Sequence, residues 1–110
     1  MTDQPNSSET TLEVTIPGDV LSTNADQIKA EVFGLMDSKF MKSGAWTHLK
    51  LDLTGAKIID SVGLNLVVNF YKEAKKRGAT TTALLSSANI QRTFIFTRLD
   101  TYIKVALVTK

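Results

Sequence analysis

The run Ile58-Ile59-Asp60-Ser61-Val62-Gly63-Leu64-Asn65-Leu66-Val67-Val68 decides how the rest of this 110-residue chain is read. Two apolar residues lead into an Asp-Ser pair, and an apolar helical pattern begins directly after it. That places a hydroxyl at the first turn of a helix, where unpaired backbone N–H groups and the positive end of the dipole favour negative charge. The pattern continues to Arg77, and Gly78 follows as a C-terminal cap.

On either side the chain alternates strands and helices. Upstream, His48 to Leu53 sets Leu49, Leu51 and Leu53 on one face and Lys50 and Asp52 on the other, the period-two signature of a strand. Thr54-Gly55-Ala56-Lys57 connects it to the central run, and Ile58-Ile59 is expected to return the chain to the core. Downstream, Thr80 to Leu85 is β-branched and apolar, so it reads as a strand. Strand, helix and strand joined by short connections predict a parallel pair with a right-handed crossover.

Farther out, Leu12-Glu13-Val14-Thr15-Ile16 alternates and is stopped by Pro17-Gly18. Ala25, Ile28, Val32, Leu35 and Met36 recur at helical spacing, with Thr23 or Asn24 as N-cap and a break at Ser43-Gly44 after about Phe40. Trp46 is read as a packing residue at the edge of the core. Ser86-Ser87 opens a shorter helix marked by Ile90 and Phe94, and Tyr102, Ile103, Val105 and Leu107 form a closing strand. The expected fold is α/β: one domain over residues 11–110, a small mixed β-sheet with helices packed against it, preceded by a flexible tail at 1–10.

Composition narrows the function. The chain is 43% hydrophobic and 22% charged, ordinary for a globular protein. No apolar run approaches the ~20 residues that cross a bilayer, and no signal peptide opens the chain, so a cytoplasmic location is expected. Cysteine is absent and His48 is the single histidine, which excludes thiolate and H-E-x-x-H metal sites. No metal site and no cofactor site is expected. Residues 1–70 carry five lysines against nine acids, and residues 71–110 carry eight basic residues against two acids. The basic end is read as Lys72, Lys75, Lys76 and Arg77 answering the dipole in the last turns of a helix, and not as a nucleic-acid surface.

Three chemistries compete for Ser61. A hydrolase elbow needs glycine two residues before and two after the serine; Gly63 is there, but Ile59 occupies the upstream place. His48 starts the strand that Ser61 follows, about 17 Å away at about 3.3 Å per residue, whereas a base must come within ~3 Å. The chain is therefore not expected to be an enzyme. Phosphate binding lacks both G-x-G-x-x-G and G-x-x-x-x-G-K-[ST]. Helix capping by Asp60 or Ser61 fits the residue types as well as regulation does. What favours a docking role is the helix itself, whose first two turns hold more apolar residues than one buried stripe can use. Leu64, Asn65 and Val68 would then lie beside Ser61 on the outer side.

Asp60-Ser61-Val62-Gly63-Leu64 after Ile58-Ile59 resembles the phosphorylation motif of the STAS domain, the family of bacterial anti-sigma factor antagonists. The resemblance spans about residues 11–108 and includes Gly18, Leu49-Lys50-Leu51-Asp52-Leu53, and Ile90-Gln91-Arg92-Thr93-Phe94 followed by Leu99. It implies Ser61 as phosphoacceptor; the partner surface expected around that residue is Asp60, Val62, Gly63, Leu64, Asn65 and Val68. It also implies an anti-sigma factor with serine kinase activity and a phosphoserine phosphatase as partners; from the residue pattern, no nucleic acid and no membrane insertion are expected. The function so implied is release of a sigma factor by the unphosphorylated domain; the alternative is a non-catalytic adaptor subunit of a transporter or signalling complex. Two positions depart from the family pattern: Leu21 where an acidic residue is usual, and Asn65 where glycine is usual.

Overall fold

The structure, a computed structural model, describes residues 11–42 and 46–108. In chain order it runs β1 (Thr11–Thr15), α1 (Ala25–Lys42), β2 (His48–Leu53), α2 (Ser61–Lys76), β3 (Thr80–Leu85), α3 (Ala88–Phe96), a 3-10 turn at Leu99–Thr101, and β4 (Lys104–Leu107). The strands form one sheet in the order β1-β2-β3-β4. All three pairings are parallel, in registers that include Val14 with Leu51, Leu51 with Ala83, and Ala83 with Val105.

The α/β class is as read from the sequence, but the sheet is parallel throughout the described residues where a mixed one was expected. Each link between paired strands carries a helix, so each strand is re-entered from the same end. Right-handed crossovers that advance always in one direction stack their helices on one side of the sheet. The burial agrees. Leu12, Val14, Leu49, Leu51, Leu53, Ala83 and Leu85 are buried and meet Phe70, Val67, Leu66, Met36, Ile90 and Phe94 in one core. The opposite face carries Glu13, Thr15, His48, Lys50 and Thr82, none of them buried.

Helix ends follow local chemistry. Gly78 holds φ at +79°, the left-handed conformation that glycine adopts without a Cβ penalty. Its N–H reaches Lys75 O at 3.0 Å, and Ala79 N–H reaches Ala74 O at 2.8 Å. Ser87 caps α3, its Oγ accepting from Ile90 N–H at 3.3 Å. Trp46 is buried and donates Nε1–H to Met36 O at 3.1 Å. Arg77 lies over its ring, 5.8 Å from the centroid, pairs with Asp37 of α1, and meets Glu73 at 3.0 Å. The basic end of α2 is thus partly a structural tie to α1.

Two local expectations change. Tyr102 and Ile103 precede β4, and their backbone N–H groups close the 3-10 turn on Leu99 O. Ile58 is 59% exposed, because the pairing of Val20 with Ile59 turns Ile59 inward and the next side chain outward. The tail at 1–10 and the expected break at Ser43-Gly44 lie outside the described residues.

Candidate functional site

Ser61 is the first residue of α2 and is exposed. The cap before it is Asp60, in extended conformation at φ −96° and ψ −178°. Its Oδ1 accepts from Gly63 N–H at 2.8 Å, the N-cap bond that satisfies one orphan donor of the first turn. Capping is therefore done by the aspartate, and the Ser61 hydroxyl makes no hydrogen bond among the described residues.

The second oxygen of Asp60 does something the residue types did not announce. Oδ2 accepts from Ser22 N–H at 2.8 Å, 38 positions away in sequence. The loop after β1 is thereby fastened to the start of α2. A second carboxylate repeats the arrangement: Asp19 Oδ1 accepts from Lys57 N–H at 2.8 Å and Ile58 N–H at 3.1 Å. Asn24 closes the same loop on itself, its Oδ1 taking Leu21 N–H at 2.9 Å and its Nδ2 donating to Asp19 O at 2.9 Å. Between these ties, Val20 N–H donates to Ile58 O at 3.2 Å and Asp60 N–H donates to Val20 O at 3.3 Å.

Both carboxylates are held below the usual aspartate range. For Asp60 the Gly63 N–H contributes most, then the Ser22 N–H. For Asp19 the Lys57 and Ile58 N–H groups do so. Donors that bind the ionised form favour it. Near neutral pH the site carries two fixed negative charges beside an unmodified hydroxyl.

Gly63 is where α2 meets the loop. A Cβ built there would lie 2.0 Å from Val20 O and 2.7 Å from its carbonyl carbon, far inside van der Waals contact. Only glycine lets the Val20 carbonyl lie against the helix. Gly63 is buried, which corrects its place in the expected partner surface: it shapes the site from beneath and presents nothing to a partner.

The remaining expected residues divide by helical position. Val62 is 47% exposed and Asn65 is exposed, while Leu64 and Val68 are half-buried against the core. Ser61, Leu64, Asn65 and Val68 follow the one, four, five, eight spacing that shares a helix face. Exposed Ile58 and Ser22, which the sequence reading did not include, join the same end of the molecule. Ile58 was missed because an apolar residue in a strand-like run reads as core. Asp19, Asn24 and Ser22 were missed because their partners lie in the folded loop. The one local hint is Asp and Asn on either side of a short stretch after Pro17-Gly18, composition that favours a side-chain-closed turn.

His48 lies elsewhere. Its Nδ1 is 2.6 Å from Thr80 Oγ1 and its Nε2 2.9 Å from Thr82 Oγ1, at the start of β2 on the open face of the sheet. Desolvation, then Lys50 and Lys104, hold its pKa below the usual 6.5. The structure does not bring it to Ser61. Among the described residues no group of three or more His, Cys, Asp or Glu could hold a metal ion, and no helix is long and apolar enough to cross a membrane.

Comparison with known proteins places this arrangement. No curated protein matches the chain. Among solved structures, the crystal structure of a candidate anti-sigma factor antagonist from Thermotoga maritima superposes with a TM-score of 0.76 at 21% identity, covering 90% of this chain and 80% of that one. The NMR structure of the protein TM1081 gives 0.69 at 22%, covering 90% and 75%. The anti-sigma factor antagonist SpoIIAA in its unphosphorylated form gives 0.58 at 23%, covering 80% and 76%. At these identities the likeness is one of fold. The STAS domain model matches residues 4–109, the motif at Ser61 included, and the chain accordingly belongs to the STAS domain family.

Proposed function

We propose that this domain is an anti-sigma factor antagonist switched by phosphorylation of Ser61. Unmodified, it docks through the start of α2 on an anti-sigma factor that is also a serine kinase, and a sigma factor is released. The kinase then phosphorylates Ser61, the complex parts, and a phosphatase restores the docking form. The observation that carries this reading is the division of labour at the helix start: Asp60 fills the cap, leaving Ser61 exposed with an uncommitted hydroxyl.

The energetics favour an effect on docking over an effect on folding. A phosphoryl group brings about −1.5 to −2 charges at pH 7. At a helix N-terminus that charge gains ~0.3–1 kcal/mol. Here the Gly63 N–H is already taken by Asp60, whose own negative charge opposes the newcomer. The net consequence for the isolated domain is small. In a packed interface the same charge meets desolvation and like charges, worth about 2–5 kcal/mol. About 2.7 kcal/mol is a hundredfold in affinity.

The direct test is intact mass after incubation with the partner kinase and ATP. Addition of one phosphate, absent from Ser61→Ala, supports the proposal. Equal labelling of both proteins removes it.

A further inference from the structure

The two ends of the sheet differ in character. Each helix runs back against the parallel strands it joins, so the C-terminal ends of α2 and α3 share one end of the molecule with the first residues of β3 and β4. Ser61 lies at the other end. Lys75 is about 20 Å along α2 from it, at about 1.5 Å per residue.

That far end is basic and apolar at once. Lys72, Lys75, Arg98 and Lys104 are exposed, and none of them makes an ion pair among the described residues. Glu73 is taken by Lys76 and Arg77, so from Lys72 to Lys104 the exposed acid is Asp100 alone. Lys75, Tyr102 and Lys104 border one solvent-open cleft, which places them on a common surface. Tyr102 is 63% exposed there, its ring against that of Tyr71 with centroids 5.8 Å apart. The last turn of α3 adds Ile95, 54% exposed, and Phe96, 90% exposed. Apolar side chains left in water beside unpaired cations gain twice from a surface that is negative outside and apolar beneath.

A nucleic acid and an anionic bilayer both carry enough negative charge to match this end, and the apolar residues distinguish them. The open sheet face, where a single strand would stack its bases, carries Glu13, Thr15, His48, Lys50 and Thr82 and no aromatic ring among the described residues. Isoleucine beside phenylalanine suits the acyl boundary, and tyrosine suits the headgroup level. Lying on a bilayer requires no spanning helix.

We propose that this end of the domain binds the surface of an anionic bilayer. Lys72, Lys75, Arg98 and Lys104 meet the headgroups, Ile95, Phe96 and Tyr102 enter the boundary beneath them, and Ser61 is held on the side away from the lipid. The contact does not depend on phosphorylation of Ser61.

The test is co-sedimentation of the full chain with vesicles of equimolar phosphatidylcholine and phosphatidylglycerol, repeated with phosphatidylcholine alone and at raised salt. The expected result is binding to the anionic vesicles only, lost as salt screens the charges. Lys75→Gln with Lys104→Gln should weaken it about 25-fold, about fivefold for each charge removed. Phe96→Ser, at a side chain 90% exposed, should weaken it severalfold and leave the unfolding midpoint unchanged. Absence of binding to the anionic vesicles would overturn the proposal, as would equal binding to both lipids or undiminished binding by well-folded Lys75→Gln/Lys104→Gln protein. An RNA oligomer bound through the same lysines, with no vesicle binding, would assign this end to nucleic acid and overturn it as well.

Discussion

Asp60 accepts the backbone N–H of Ser22 at 2.8 Å with the carboxylate oxygen that does not cap α2. One side chain thus sets both the helix start and the position of the loop after β1. The hydroxyl of the residue beside it, Ser61, makes no hydrogen bond among the described residues.

That double bond has a pH signature. The pKa of Asp60 is lowered from 3.8, first by Gly63 N–H and then by Ser22 N–H. A carboxylate depressed in the folded state contributes stability that is complete above its unfolded value and is lost as pH falls through the folded one. Protection of the Gly63 and Ser22 amides, taken as intrinsic over observed exchange rate, should therefore hold above the ordinary aspartate range and fall together as the pH drops below it. Asp60→Asn should show faster exchange at both amides at neutral pH and lose their joint pH dependence. Independent behaviour of the two amides would contradict the shared carboxylate.

Gly63→Ala should be among the most damaging single substitutions at the site. The new methyl would sit 2.0 Å from Val20 O, and backbone must move to admit it. Overpacking of this kind costs about 1–3 kcal/mol or more. Urea unfolding should show a fall in midpoint at the upper end of that range. A variant as stable as the parent would mean that the loop does not press on α2 as described.

Val62→Asp separates docking from folding. Val62 is 47% exposed and lies in the first turn, where a carboxylate is favoured by about 0.3–1 kcal/mol. The dipole's favour is offset by the nearby Asp60 charge, so the unfolding midpoint should hold, while affinity for the partner falls by about tenfold or more. Leu64→Asp is a less clean probe, since Leu64 packs partly on the core. Unchanged affinity in Val62→Asp would move the docking surface away from this face.

Arg77→Ala should loosen the far end of α2 without touching the site. The side chain is 17% exposed and pairs with Glu73 and with Asp37, the latter largely in solvent. Loss of these contacts and of the stem over Trp46 should cost about 1–2 kcal/mol, read in urea. Partner affinity should be unchanged once the variant is folded.

How much of this was legible in the sequence differs by residue. The strands β2 and β3 and the helices announced themselves because alternation and helical spacing each report burial on one face. Gly78 was legible as a cap for a local reason, its left-handed φ. The position of Ser61 in the first turn of α2 was legible because the Asp-Ser pair falls at a change from strand to helix period. Gly63 and Ile58 were not, since a glycine's closeness to Val20 and the outward turn of Ile58 depend on a loop some forty residues upstream. The same holds for Asp19 and Asn24: nothing local tells a carboxylate which distant N–H groups it will meet. The all-parallel sheet followed from three crossovers advancing in one direction, and a sequence shows each crossover but not the direction of the next.

The central claim is that a charge on Ser61 ends docking while the domain stays folded. The most direct measurement compares unmodified and Ser61-phosphorylated protein side by side, reading affinity for the partner kinase by calorimetry and the unfolding midpoint by circular dichroism. The account predicts an affinity loss of about a hundredfold or more with nearly coincident melting curves. Equal affinities, or a loss of binding that tracks a collapse of the fold, would contradict it.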